Sequence, residues 1–512
     1  EKVRRPMMPK LPTNKEAKNC PKWQAAEKRE VKKILEEAVL GKLALDNMGR
    51  PVRPEGCIAL RLIRIREYKW KPDPENGDMI WLECVRLVVD GSEDKRAKRN
   101  FYAVTPDRTA VFMFIAAIAS RGEGRIKMDA IRAYLNAPSL DKNIVVKAPW
   151  DIEELDRESI LLKGLYGSKG GALSWEIWVN DKIVGQLEFV KCDIARGVYV
   201  KESGGEIVRI LRHSDDFLVS TGVKEKLEEV VDELTQKMRL TQETEVERFL
   251  GCELEWQEDK KIVLMRQTEK IREMSEKHKD LIVEFNKKGR IRVTPSPLDN
   301  VRCDEELDDV RRELLDENGI TIFQGIVGSV NWVVKSTRPD GLYAYWICAR
   351  RLVSPRYFDM YLILWLVEYL SYTEELPLIL GGESLEIVVM CDASFATLPQ
   401  RRSVLGHFMR AGKGGALYAE VARTRNAVLS IWEAELTSNS RAVGSGLYGV
   451  NVYGELKYGG ENDCFDVMTD SLTCVHWIEG SVPSKTSRHV EVKMYNLRHL
   501  KEDGSFRISH IK

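Results

Sequence analysis

Apolar positions change period several times along the chain, and each change predicts an element. Between Trp23 and Val39 they recur at Trp23, Val31, Ile34, Leu35 and Ala38, the spacing of one helix face. The runs 57–65 (CIALRLIRI) and 80–89 (IWLECVRLVV) are short and rich in β-branched residues. They predict two strands separated by the turn-forming segment 72–77, Pro-Asp-Pro-Glu-Asn-Gly. Thr109 to Ser120 reads as a buried helix, because Ala110 to Ala119 is apolar without interruption. That run is only about half of what a bilayer-spanning helix needs. Residues 125–260 alternate strand, helix and hairpin, 266–292 are basic and helical, 303–318 are acidic, and 321–372 are again helical and apolar. A new strand-rich unit opens near residue 385 with LEIVVMCDAS. No internal repeat is visible.

A chain of 512 residues favours more than one folding unit. Its apolar fraction of 43% and charged fraction of 31% are those of globular domains. Lys plus Arg equals Asp plus Glu, 79 each, so the net charge is zero. That excludes a uniformly basic nucleic-acid coat but leaves room for a basic track beside a separate acidic metal site. The ten cysteines form no CxxC pair, which argues against a zinc ribbon or a disulfide framework and fits a reducing compartment. Residues 1–20, with Pro6, Pro9, Pro12 and several lysines, read as a flexible basic arm, and no secretory leader is expected.

Two groups of carboxylates carry candidate chemistry. In IKMDAIRAYLNA, Asp129 directly follows an apolar strand-like run, and in IVRILRHSDDFLVSTG, Asp215 and Asp216 sit between two β-rich runs. An isolated Asp-Asp pair reads more simply as a surface hairpin turn. With apolar flanks and a second strand-end aspartate upstream, adjacent like charges are better explained by divalent cations. Mg²⁺ prefers carboxylate and phosphate oxygens, and phosphoryl transfer uses two such ions held close together.

These segments resemble the reverse transcriptase of copia-type retrotransposons. IKMDAIRAYLNA is similar to that family's Asp motif with an aromatic five residues on and then Leu-Asn, and His213-Ser214-Asp215-Asp216 stands where the family has Tyr-Val-Asp-Asp. LLKGLYGSKGGALSW, VERFLGCELEW and GIVGSVNWVVKSTRPDGLYA resemble, in order, the family's Leu-Tyr-Gly…Trp segment, its primer-gripping stretch and its Thr-Arg-Pro-Asp signature. The resemblance implies Asp129, Asp215 and Asp216 as polymerase metal ligands and Tyr134 as the aromatic that selects deoxynucleotides. It further implies Arg86 near the incoming triphosphate, Lys169 at the template or nucleotide site, and Gly251 at the primer grip. From chemistry alone, Tyr134 reads equally as a core tyrosine and Arg86 as a solvent-facing strand arginine. The sequence departs from the family at His213-Ser214, Cys84, Gly170 and Leu173.

The C-terminal unit carries Asp392 after an apolar strand, Glu433 at the start of a helix-like segment, Asp470 after another strand and Glu491 on a further helix. CDASFATLPQRRSVLG, AVLSIWEAEL, VMTDSLTCVHW and SRHVEVKMYNLRHLKEDGSF resemble the family's ribonuclease H motifs. These imply that the four carboxylates are metal ligands of a second site, with Glu435 as an alternative to Glu433.

The expected fold is α+β, a right-hand polymerase (fingers, palm, thumb, connection) followed by an α/β ribonuclease H-like domain. Expected boundaries are a 1–20 arm, 21–260 fingers and palm, 261–380 thumb and connection, and 381–512 ribonuclease H. The expected cofactor is Mg²⁺, two per site, with Mn²⁺ as a substitute. Expected partners are an RNA template, a DNA or tRNA primer, an RNA/DNA hybrid, deoxynucleotides, and integrase or capsid parts of one polyprotein, with no membrane. A cytoplasmic virus-like particle, with nuclear access, is the expected location. The chain stops at His510-Ile511-Lys512, short of the family's usual tail, which implies a fragment or a reduced gene. The competing reading is a domesticated or decayed element that binds nucleic acid without turnover. A template-independent nucleotidyltransferase would share the first site but leave Asp392 and its companions without a role.

Overall fold

The computed structural model describes residues 8–511 apart from 74–76, 97–100, 142, 287–290, 298–312, 460–463 and 481–487, and the side chains of 399 and 488–491 are also outside it. Most of the predicted acidic stretch 303–318 lies outside the described residues. Among those described, no helix is long and apolar enough to cross a membrane.

The first long helix, Pro21–Glu36, starts with proline at its first turn, where the missing N–H costs nothing, and buries Trp23, Ala26, Val31 and Ile34. A short helix, Asn14–Lys18, precedes it, closed by a reciprocal capping box between Thr13 and Glu16. Ala17 packs with Trp23, Ala26 and Val85. The expected flexible arm is therefore corrected for residues 13–20, because Thr13-x-x-Glu16 is a helix-start signal that the prolines obscured. Next, Ile58–Pro72 and Met79–Val89 form a long antiparallel hairpin, in register from Leu62 opposite Val89 to Pro72 opposite Met79.

The palm is a six-stranded sheet ordered Leu240–Glu243, Gly124–Ala130, Asp216–Thr221, Glu206–His213, Val198–Ser203, Val190–Lys191, with every pairing antiparallel. Side-chain alternation splits it cleanly. Ile126, Met128, Phe217 and Val219 face a core completed by Trp175, Val179, Leu227 and Val230. Leu211 and Leu218 face the helix Arg108–Arg121, whose residues 109–120 are all buried.

Five helices (Thr268–Lys277, Lys279–Phe285, Glu317–Val334, Leu342–Ala349 and Tyr357–Tyr372) share a second core. A four-stranded sheet, Arg248–Phe249, Cys252–Gln257, Ile262–Arg266 and Leu378–Gly381, runs through both expected boundaries, at 260 and 380. Those boundaries are thus not breaks in the fold. Pairing of Ile262 with Gly381 is non-local and invisible to a reading along the chain.

The C-terminal sheet is ordered 3-2-1-4-5 within the unit. Ile387–Ser394, Val404–Ala411 and Ala416–Arg423 are antiparallel, and Phe465–Thr469 and Phe506–His510 add in parallel. This is the expected ribonuclease H-like layer, covered by the 25-residue helix Ile431–Glu455. Gly446 is where that helix meets the sheet: a Cβ there would lie 2.1 Å from the Phe465 ring. Gly446→Ala is expected to lower stability by ~1–3 kcal/mol through overpacking. Gly444→Ala, with open space around it, should be neutral or stabilising. Denaturant midpoints of the two variants check this pair.

Candidate metal centres of the palm and the C-terminal unit

The palm carboxylates meet because two strands pair in one register. Asp216 is the direct cross-strand neighbour of Asp129, and Asp215 occupies the two-residue connection before it. Directly opposed residues on antiparallel strands put their side chains on one face, here the face opposite to Met128 and Phe217. Ser214 opens the connection with φ +59°, a left-handed conformation that L-residues adopt only when held there. It is held by its carbonyl, which accepts the Trp175 indole N–H at 2.9 Å and an Arg212 guanidinium N–H at 3.3 Å. Arg212 is itself buried in an ion pair with Glu176 and donates to the Tyr199 hydroxyl at 3.3 Å. The Ala130 N–H donates to the Asp215 carbonyl at 2.9 Å, tying the turn back to the strand of Asp129.

The electrostatics fit a cation. Burial, followed by the charges of Asp215 and Asp129, pushes the Asp216 carboxyl up to about 6. Burial and then Asp215 also raise Asp129. Lys127, Lys71 and Lys69 oppose that rise. The two latter lysines come from the far end of the long hairpin, so the fingers bring positive charge toward the palm carboxylates. Sequence reading missed them, because alternating Lys-x-Lys on a strand looks like an ordinary solvated face.

Around this centre, Tyr134 stands edge-on to Tyr166 at 4.9 Å, and its hydroxyl lies 3.4 Å from the Ser214 hydroxyl. Arg86 lies over the Tyr166 ring at 5.2 Å while its Nε donates to Glu67 at 3.0 Å. The predicted Arg86 and Tyr134 are therefore joined through a tyrosine that sequence analysis did not single out. Lys169 differs from expectation. Its ammonium donates to the carbonyls of Asp94 and Arg96, so it clamps that loop rather than ending free in a cleft. Gly251, at φ +75°, and Leu250, at φ +47°, are the two residues of a tight turn between paired Phe249 and Cys252. Both central residues with positive φ is the signature of a type I′ hairpin. A Cβ on Gly251 would approach the Trp332 ring at 3.6 Å.

In the C-terminal unit, Asp392 lies two residues before the end of the strand Ile387–Ser394 and Asp470 follows its parallel neighbour, with Cys391 and Thr469 in register just before them. The third carboxylate is Glu435, not Glu433. Asp392, Glu435 and Asp470 each offer an oxygen, all within 4.8 Å of one another, the one group of three or more such side chains this close among the described residues. Glu433 belongs to the helix cap: its backbone N–H donates to the Ser430 hydroxyl, and its carboxylate accepts from the Leu429 N–H at 2.8 Å. Ser430-x-x-Glu433 is a capping pattern legible in the sequence, and two residues along a helix turns a side chain to the other flank. Burial, then Asp392 and Asp470, pushes Glu435 up to about 8, and its buried Oε2 has no hydrogen-bond partner. A buried carboxylate oxygen left unpaired between two other carboxylates is suited to a divalent cation. Glu491 lies in the helix Arg488–Glu502, but its side chain is outside the described residues.

Comparison with known proteins now bears on this geometry. The family described as reverse transcriptase (RNA-dependent DNA polymerase) matches residues 83–281. Residues 83–281 are thus a reverse transcriptase domain, and the relatives it resembles are transposon proteins. It is similar to the Pol polyprotein of transposon TNT 1-94 from Nicotiana tabacum, 22% identical over 434 residues, covering 83% of this chain and 32% of that one. It is also similar to a putative transposon Ty5-1 protein of Saccharomyces cerevisiae, 26% identical over 275 residues, covering 53% of this chain and 84% of the relative. The chain thus spans about a third of the tobacco polyprotein. Among solved structures, a foamy viral protease-reverse transcriptase in complex with double-stranded DNA aligns over 96% of this chain and 69% of its own, at 12% identity and a TM-score of 0.48. The matched reverse transcriptase segment contains Asp129, Asp215, Asp216, Arg86, Tyr134, Lys169 and Gly251, and stops before Asp392.

The raised Glu435 carboxyl has a stability consequence. Its proton is bound more tightly in the folded protein than in the unfolded chain, so without metal the wild type loses stability as pH rises from about 4.5 to about 8. Glu435→Gln should therefore be the more stable protein, in EDTA, above that window, and indistinguishable well below it. Added Mn²⁺ should raise the melting temperature of the wild type and leave less effect on the variant. Thermal melts at pH 4 and pH 8, with and without Mn²⁺, test both statements.

Proposed function

We propose that the chain is an RNA- and DNA-dependent DNA polymerase joined to a ribonuclease H, each centre working on phosphate esters by two-metal chemistry. The observation that carries this reading is the register pairing of Asp216 with Asp129 on one sheet face, beside Asp215 in the adjoining turn, with the proton affinities of Asp129 and Asp216 raised by burial and by the neighbouring carboxylates. Divalent ions bound there, Mg²⁺ first, would neutralise the carboxylates and stabilise charge on a transferring phosphoryl group. The residues then have separate tasks. Asp129, Asp215 and Asp216 orient the reacting centre so that a primer 3′-hydroxyl attacks the α-phosphorus of a deoxynucleotide and pyrophosphate leaves. Tyr134, braced by Tyr166 and Ser214, would block a ribose 2′-hydroxyl. Lys69, Lys71 and Arg86 supply positive charge toward the triphosphate side.

At the second centre, Asp392, Glu435 and Asp470 would hold the ions that assist water attack on the RNA strand of a hybrid. Substrates on this reading are an RNA template, a DNA or tRNA primer, the hybrid product and deoxynucleotides. The helices from Thr268 to Phe285 would follow the duplex backbone through sequence-blind, salt-sensitive phosphate contacts. The polyprotein context, with integrase and capsid parts and a particle in the cytoplasm, is proposed on the same footing.

Primer extension on poly(rA)/oligo(dT) with Mg²⁺ tests the first centre: Asp215→Asn should cut incorporation by ~100-fold or more while leaving duplex binding in place. Asp392→Asn should abolish cutting of the RNA strand and spare extension. Tight hybrid binding with no incorporation by the wild type, in Mg²⁺ or Mn²⁺, would instead establish a binding module.

A further inference from the structure

The helix Ile431–Glu455 starts at one acidic centre and ends against the sheet that carries the other. Glu435 sits in its second turn. Glu455 is its last residue, 20 positions on, which at 1.5 Å per residue is about 30 Å. At that far end the Glu455 carboxylate leaves its own unit and accepts three consecutive backbone N–H groups of the palm: Asp193 at 3.0 Å, Ile194 at 3.0 Å and Ala195 at 2.8 Å. Successive N–H groups converging on one anion form a nest, and here the anion is a side chain from more than 250 residues away in sequence. The loop they belong to runs on to Gly197, whose carbonyl accepts the Arg212 N–H at 2.8 Å. Arg212 is the residue that holds Ser214 and hence the turn of Asp215.

A second set of contacts follows immediately. Arg209 donates to the Leu456 carbonyl at 2.6 Å and to Glu123 at 2.9 Å, and its guanidinium lies 3.7 Å from the Tyr458 ring. The Tyr458 hydroxyl donates to Glu123 at 2.8 Å, and so does the Ser220 hydroxyl. Arg209 and Ser220 are cross-strand partners on the two palm strands that lead into Asp215 and Asp216. Arg209, Glu123, Ser220 and Tyr458 are all buried. Further back on the same helix, Tyr448 donates to Asp107, whose other oxygen caps the helix Arg108–Arg121. The apolar core shared by the two units supplies adhesion but is compatible with small rotations. Short charge-assisted hydrogen bonds to fixed backbone groups are directional and are not.

We infer that Glu455 and Tyr458 are positioning residues that fix the distance and orientation between the palm and C-terminal acidic centres, so that the place where the RNA strand is cut is locked to the primer end. This rests on the reading that both centres hold divalent ions. The test therefore has one arm that does not depend on it.

In that arm, hydrogen exchange of the Asp193, Ile194 and Ala195 amides is compared between wild type and Glu455→Ala, and exchange at least about tenfold faster in the variant is expected. Unchanged protection overturns the latch. In the other arm, Fe²⁺ replaces Mg²⁺ on a labelled RNA/DNA hybrid, and ascorbate with peroxide generates hydroxyl radicals at each bound ion. Two cleavage loci should appear at a single spacing in the wild type. In Glu455→Ala/Tyr458→Phe the spacing should spread over several nucleotides. A merely stabilising role would lower the yield of folded protein without moving the loci. Glu455→Gln, which keeps one acceptor oxygen, should restore most of the single spacing. A double variant whose loci coincide with those of the wild type overturns the inference. A wild type that yields no loci speaks against metal at the centres, and the amide arm then decides the latch alone.

Discussion

Like charges do not gather without a reason, and the molecule is organised around two places where they do. Asp129 and Asp216 share one face of the palm sheet with Asp215 in the adjoining turn, and Asp392 and Asp470 of the C-terminal sheet converge with Glu435 of the helix that covers it. Burial and neighbouring carboxylates raise the proton affinity of Asp129 and Asp216 in the first and of Glu435 in the second. A fold that keeps such groups together without a cation sacrifices stability at neutral pH. Positive charge arriving there would relieve that repulsion, and a divalent cation is one source of it.

Holding the carboxylates in place falls to groups that never touch them. The left-handed Ser214 is not stable by itself. Its carbonyl is claimed from below by Trp175 and Arg212, and Arg212 is neutralised by Glu176. A buried ion pair contributes little to net stability, because desolvation offsets the attraction, but loss of one partner is severe. Such a pair is better suited to fixing a conformation than to strengthening the fold. In the C-terminal unit the same task falls to Ser438, whose hydroxyl donates to the Asp392 carbonyl at 2.9 Å and seats the central helix on its strand.

Local chemistry was legible along the chain, and long-range partnership was not. The helix Pro21–Glu36, the hairpin of Ile58–Pro72 with Met79–Val89, the buried helix Arg108–Arg121 and the strand before Asp392 all follow from periodicity and turn residues. So does the convergence of Asp129 on the Asp215–Asp216 turn, because strand-end aspartates with apolar flanks have few other uses. Glu433 and Glu435 show the limit. Both lie on one amphipathic helix near its start, and only the capping role of Glu433 separates them. The pattern Ser430-x-x-Glu433 contained that information, but resemblance to a family motif outweighed it. The helix start at Thr13 is obscured for a related reason, since proline and lysine content around it masks the capping box with Glu16. The sheet joining Ile262–Arg266 to Leu378–Gly381 had no signal at all, because pairing across more than a hundred residues leaves no periodic trace.

Those invisible contacts decide what kind of molecule this is. Residues of the helix Arg108–Arg121, of the palm strands, of the stitching sheet and of the C-terminal sheet belong to one continuous buried cluster, from Ala110 to Phe506. Two catalytic-type centres on separate cores would be free to drift, since interfaces between independent domains are small and polar by default. A shared core removes most of that freedom, and the directional contacts of Glu455, Arg209 and Tyr458 remove much of what is left. The separation between the two carboxylate groups is then set by the length of one helix and the register of two sheets, quantities that change only by whole residues. A nucleic-acid duplex lying across both centres would meet them at a fixed number of steps along its backbone.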